Sequence, residues 1–391
     1  YACPDTTLGC TSIQNLRWEL DLLELARLCK LSLRPEIWEN PDEGAESPAF
    51  FDGICSPWPE FTEVLTRVMG PGDGRKSLKI LFLPGSSGEI VFDLRFISVL
   101  TRLGHKVILA LKEGFCLDSP VFWDVEHDGA LARALGEARL VENSRMSKND
   151  LLRAQREDSL IVISDGTRER LNLWRTSVTF ARAWKEADLV VAKGFANHRR
   201  LVMNSHLFTR DVLCLFRDAA GKDRVVFKEK SPRVTKITES QVVAQADSII
   251  ARMRSARGMG KQVMFYSAII GSIPGQTKVA LRVVNTFVSH LRAKHANLMI
   301  INPAEHFVEG MDGDDLMYMW ERVQRSGFID VWRFQTVADI EDSFELMGEP
   351  VPAEWHGKDA TFSTGCTKEM NIALDMQGKH PEMQIIGPDP K

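Results

Sequence analysis

The chain has 391 residues, 44% of them hydrophobic and 26% charged, with a formal net charge of −4. That length accommodates two domains with buried cores, and the slight acidic balance gives no sign of the basic excess that usually accompanies nucleic-acid binding, so no nucleic-acid partner is expected. No apolar run reaches the roughly 18 to 20 residues of a membrane-spanning helix, so the sequence predicts a soluble protein with no membrane span.

In chain order, Ser12 to Leu33 carries an apolar stripe at Leu16, Leu20, Leu23, Ala26 and Cys29, the period of an amphipathic helix. A Pro/Glu/Gly-rich loop from Glu39 to Ser56 leads to a helix near Phe61 to Met69, stopped by Gly70-Pro71-Gly72-Asp73-Gly74. Apolar strands and amphipathic helices then alternate. The strands are Leu78–Leu83, Lys106–Leu111, Ser159–Ser164 and Asp188–Ala192; the helices are Glu89–Leu103, Gly129–Ala138 and Trp174–Glu186. Short, wholly apolar strands separated by helices imply a parallel sheet covered on both faces, a doubly wound α/β fold. Ser205 to Arg217 reads as a further helix and Arg224 to Lys228 as a strand.

From Asp218 to Arg257 the chain is strongly charged, with a helix expected over Gln241 to Arg254. A second α/β set follows: strands Gln262–Ile270, Asn297–Ile301 and Phe328–Phe334, helices Thr277–Ala293 and Asp314–Ser326, and a last helix-then-strand over Thr364–Ile386. The expected division is an N-terminal helical region (1–75), an α/β domain (76–230), a charged linker or helix (231–258) and a C-terminal α/β domain (259–391).

Seven cysteines (Cys3, Cys10, Cys29, Cys55, Cys116, Cys214, Cys366) are scattered without a CxxC pair or a zinc spacing. Reduced thiols in a reducing, intracellular compartment are expected. The chain begins at Tyr1 rather than a methionine. A removed targeting segment would account for that, which favours a mitochondrial over a cytoplasmic location.

Ligands of open α/β sheets sit beyond the carboxyl ends of the strands. That rule selects Gly85 to Glu89, Lys112 to Asp118, Ser164 to Thr167 and Lys193 to Asn197. The run Gly88-Glu89-Ile90-Val91-Phe92-Asp93 after an apolar strand, and the run Ala187-Asp188-Leu189-Val190-Val191-Ala192-Lys193-Gly194-Phe195-Ala196-Asn197, resemble two motifs of the damage-control phosphatases. In that family they are written DNxGE followed by IVFD, and ADLVIxKGxxN. Lys112 and Asp118 stand where the family has a basic residue and an Asn-Asp pair. The resemblance spans roughly residues 12 to 230 and implies a metal-dependent phosphatase fold.

By the same resemblance, the family's metal-binding Asp and Asn fall on Gly85 and Ser86, which leaves Asp188 as the one retained metal-ligand position. A hard divalent cation takes carboxylate and amide oxygens, so glycine and a neutral hydroxyl make a poor replacement. The anion-binding half is expected to persist. Ser86, Ser87 and Gly88 at a helix N-terminus present N–H groups and hydroxyls, Lys193 a charge and Asn197 a neutral donor. The opposing reading is an Asp188–Lys193 ion pair at a strand end. Cys116 lies in the same region, but its nearest histidine in sequence is His127, and it reads as a bystander thiol.

In the C-terminal half, Gly271-Ser272-Ile273-Pro274-Gly275-Gln276-Thr277-Lys278 sits between strand and helix but lacks the Gly-Lys-Ser/Thr ending of a phosphate loop. Asp312, Asp314 and Asp315 lack calcium-loop spacing and read as a helix cap. Asn302 to His306 could line a pocket. Trp320 and Trp332 read as core, whereas Trp38, Trp58 and Trp355 in loops either pack on their own domain or anchor a partner.

Three functions compete. The first is a non-catalytic accessory or scaffold subunit that binds other protein subunits and needs no cofactor. The second, implied by the resemblance, is a phosphatase of small phosphorylated metabolites using magnesium or manganese, or a carboxyl methyltransferase; Asp188 would then hold the ion and Asp118 orient water. The third is an anion-binding module for a small phosphorylated ligand.

Overall fold

The computed structural model describes residues 13–39, 47–70, 76–235 and 237–388. Cys3, Cys10 and the Pro71-to-Gly74 part of the expected turn lie outside the described residues. The chain divides into two units, Tyr1–Val234 and Thr235–Lys391.

In the first unit, helices α1 (Ile13–Ser32), α2 (Pro48–Cys55) and α3 (Pro59–Met69) precede the sheet. Then come β1 (Lys79–Leu83), α4 (Ile90–Arg102), β2 (Lys106–Leu111), β3 (Arg139–Val141), α5 (Lys148–Glu157), β4 (Leu160–Ser164), α6 (Val178–Glu186), β5 (Leu189–Lys193), β6 (Asp211–Arg217) and β7 (Asp223–Lys228). The sheet runs β3-β4-β2-β1-β5-β6-β7, parallel except for β7, which pairs antiparallel with β6. Because side chains alternate along a strand, Ile80 and Phe82 of β1 join one core with α1, α3 and α4, while Leu81 and Leu83 join the other with α5 and α6. Two-sided burial is why these strands read as unbroken apolar runs.

The helix expected over Ser205–Arg217 is corrected: Asp211–Arg217 is a strand, whose residues Val212 to Phe216 are all buried. A short apolar run has no periodicity to separate strand from helix. The strand β3 and helix α5 are additional to the expected elements.

The second unit comprises α7 (Glu239–Gly258), β8 (Gln262–Ser267), α8 (Thr277–Lys294), β9 (Leu298–Ile301), α9 (Gly313–Gln324), β10 (Val331–Phe334), α10 (Val337–Met347), α11 (Thr364–Lys379) and β11 (Gln384–Ile386). Its sheet, β11-β10-β8-β9, is wholly parallel. From Thr235 onward, the charged stretch expected as a linker or helix belongs to this unit. A capping box at Thr238 and Gln241 starts α7, and Val242, Ala246, Ile249 and Met253 are buried in the core with Phe265 and Trp332. Asp312 caps α9 by accepting from Asp314 N (2.9 Å) and Asp315 N (3.0 Å). Trp58, Trp320, Trp332 and Trp355 are all buried.

Candidate functional site

The strand order of the first unit reverses between β1 and β5. Such a junction leaves a crevice beyond the carboxyl ends of the two strands. Here it is a cleft of about 270 Å³ whose walls include Gly85, Ser86 and Glu89 after β1, Lys112 and Asp118 after β2, Asp165 and Arg170 after β4, and Lys193, Gly194 and Asn197 from β5 onward. Gly194 has φ 85°, and a Cβ built on it would lie 3.5 Å from Gly85 Cα. Glycine is needed there for the left-handed turn that brings the two loops together.

Lys193 is 2% exposed. Its Nζ lies 3.2 Å from Asp93 Oδ1 and 3.5 Å from Glu89 Oε2, and donates to Ser32 Oγ at the end of α1. Burial pushes the Asp93 carboxyl up to about 7, and the charge of Lys193 offsets only part of that. Burial alone would lower the Lys193 pKa, but the attraction of Asp93 and Glu89 outweighs it and the lysine stays charged. This corrects the Asp188–Lys193 pair: the partners of Lys193 come from Glu89 and α4.

The cradle predicted at Ser86 to Gly88 is occupied from within. Ser86 N and Oγ both approach Glu89 Oε1, at 3.4 and 3.3 Å. Ser87 N and Oγ donate to the Asp118 carbonyl at 2.6 and 2.8 Å. The Trp38 indole covers Gly88 so closely that a Cβ could not fit between them. A Cβ on Gly85 would meet Glu89 Oε1 at 2.6 Å and Oε2 at 2.7 Å. The Glu89 carboxylate thus lies over Gly85, in the space a longer side chain at that position would enter.

Asp188 is elsewhere. It precedes β5, its N–H donates to Lys79 O (2.7 Å), and its Oδ2 accepts from Lys79 N (2.9 Å), at the amino-terminal edge of the sheet. The five residues of β5 separate it from the cleft by about 16 Å at the usual rise per strand residue. The structure therefore overturns its expected place as metal ligand or catalyst in the cleft. Asp118 does line the cleft and is exposed. Asn197 also lines it, with Nδ2 donating to Lys193 O (2.9 Å) and Pro84 O (3.3 Å), which ties the two loops together.

Two of the carboxylates facing the cleft, Asp165 and Glu89, are already matched by ammonium groups. Asp165 Oδ2 accepts from Lys112 Nζ at 2.7 Å and is also bonded by Thr167, while Glu89 is held by Lys193 and Ser86. Among the described residues, no group of three or more His, Cys, Asp or Glu side chains is arranged to hold a metal ion. A hard divalent cation needs about six oxygen ligands and would here lie beside the charges of Lys112 and Lys193. The residues present do not fit the metal that the resemblance implies. Three carboxylates (Glu89, Asp118, Asp165) and four cations (Lys112, Arg170, Lys193, Arg200) line the cleft, and the charge of Lys193 is already taken up by Asp93 and Glu89.

Sequence reasoning missed Arg170 and Arg200, and named Trp38 as a loop tryptophan without its place against Gly88. The doubled Arg199-Arg200 shortly after Asn197 was the one available signal for the second cation. Trp38 gave none, because its contact with Gly88 joins distant parts of the chain.

Fold and site together define a doubly wound α/β domain with a charged cleft at its topological switch point. Residues 55–233 match the family model described as the damage-control phosphatase ARMT1-like domain. That bears out the family read from the motifs, although the match begins at 55 rather than near 12. A crystal structure of a DUF89 family protein from Pyrococcus horikoshii is similar over 55% of this chain and 75% of its own, at 19% identity and a TM-score of 0.32. No curated protein matches the chain. Among the described residues, no helix is long and apolar enough to cross a membrane.

Proposed function

We propose that this chain is a divergent damage-control-phosphatase-like protein that does not hydrolyse phosphate esters and serves as an accessory subunit of a protein assembly. The observation that carries this reading is the Glu89 carboxylate. It lies over Gly85, bonds Ser86 and pairs with Lys193, so the groups that would meet a metal or phosphate there meet an internal carboxylate. Support for a protein partner comes from the cleft mouth, where Leu117 (60% exposed) and Phe195 (46%) line the opening and Phe115 (84%) projects nearby. Phe195 also packs on His198 and Phe216, and exposed apolar side chains of this size are typical of surfaces that a partner covers. Leu117 has φ 54°, a left-handed conformation that costs a bulky side chain energy.

The alternative is a working metal-dependent phosphatase, favoured by one observation: Asp118 and Asp165 do share the cleft with Glu89. Turnover of p-nitrophenyl phosphate with manganese, magnesium, cobalt or nickel separates the two. The expected result is no metal-dependent hydrolysis above the protein-free rate. Hydrolysis that disappears in Asp118→Asn would overturn the non-catalytic reading. For the assembly, a tagged full chain is expected to purify from its native cells with one partner at fixed stoichiometry, and the Phe115→Ser/Phe195→Ser variant to lose it.

A further inference from the structure

Beside the charged cleft, a more open groove of about 580 Å³ runs along α6. Leu171 and Arg200 line both, so the two spaces share a wall. The groove is aromatic: Phe180 and Trp184 come from α6, Phe208 from the segment before β6, and Trp174 from the loop before α6. Trp184 packs edge-on to Phe208, with ring centroids 5.6 Å apart, which fixes the floor. Trp174 is 94% exposed at the rim. A ring that large left in water gains a great deal from any apolar group that covers it.

The charge of the groove has one sign. Its lining includes the Arg200 guanidinium and no carboxylate. Arg200 Nη1 donates to Leu171 O at 2.5 Å, which pins the guanidinium at the wall between groove and cleft. Among the described residues no carboxylate pairs with it. A fixed guanidinium with spare N–H donors recognises a phosphate, sulfonate or carboxylate with little further ordering. The volume is in the range that accommodates a small organic molecule.

We propose that this groove binds a small amphipathic organic anion. Its apolar part lies against Trp174, Trp184 and Phe208, and its anionic group at Arg200, at the junction with the cleft. The site goes beyond the accessory-subunit reading, since it needs neither a metal nor turnover. The two anionic sources, a phosphate ester or a carboxylate, share this chemistry and are compared directly in the test.

The test uses the full chain with naphthyl phosphate, naphthoate, neutral naphthol and inorganic phosphate, followed by calorimetry and tryptophan fluorescence. Both naphthyl anions are expected to bind and quench, with naphthol and inorganic phosphate each weaker by about tenfold or more, the usual worth of one charged hydrogen bond or one buried ring. If only one of the two anions binds, it identifies the head group and the proposal stands. Trp174→Ala, at an exposed position where folding is undisturbed, and Arg200→Gln are each expected to weaken binding by about tenfold, with Arg200→Lys recovering part of it. Equal affinity for naphthol and naphthyl phosphate, indifference to both Trp174→Ala and Arg200→Gln, or no binding of either anion would overturn the proposal. Release of naphthol in the presence of manganese would instead overturn the non-catalytic reading and leave the binding site intact.

Discussion

Lys193 keeps its position in the motif run and is paired within the protein. It is among the most deeply buried large side chains, and its charge is balanced by Asp93 and Glu89 rather than offered to a ligand. A buried ion pair contributes little net stability compared with apolar packing, yet breaking it strands a charge in a medium that cannot solvate it. Lys193→Met is therefore expected to destabilise the first unit by about 3–5 kcal/mol, read as a lower urea midpoint. A change below the error of such a measurement would mean that the pair is not formed in solution. Glu89 is the smaller surprise. Its motif position was legible, but its direction over Gly85 depends on the absence of a side chain there, and on Lys193 arriving from a strand more than a hundred residues later.

At the scale of elements, amphipathic helices and capped termini were legible because their signals are local. The Asp312 cap is an example. The strand β6 was misread because every residue from Val212 to Phe216 is buried on both faces, which erases the alternation that marks a strand. Helix α11 carries a buried carboxylate that no periodicity distinguishes. Burial lifts the Glu369 carboxyl to about 7, with hydrogen bonds from Ser267 and Gln324 offsetting part of the rise. Because the folded protein holds this proton more tightly than the unfolded chain, its contribution to stability is full below the ordinary glutamate pKa of about 4.3. That contribution falls as pH rises towards 7. Glu369→Gln keeps the shape and removes the titration. The stability of the variant relative to the native protein should rise by up to about 1.4 kcal/mol per pH unit across that window. A difference that does not vary with pH would show that Glu369 does not titrate there.

For the molecule as a whole, the second unit has its own parallel sheet and its own core, running from Val242 on α7 to Met383 before β11. A fragment beginning at Thr235 is expected to unfold in one cooperative urea transition followed by circular dichroism. A fragment beginning at residue 259, at the boundary expected from charge, should not, since it lacks the buried face of α7. If both behave alike, α7 is not part of that folding unit.

The sequence alone was enough to determine the doubly wound class, the family and the strand ends where a site must lie. Apolar runs, helix periodicity and glycine turns are properties of neighbouring residues, and the chain cannot hide them. Which charges meet was decided only by the tertiary structure. Asp188 and Lys193 are five residues apart, but a strand places them at opposite ends of the sheet, while Lys193 and Asp93, a hundred residues apart, share one buried contact. The Coulomb energy of a side chain depends on distance and on exclusion of water, and both are set by packing rather than by position along the chain.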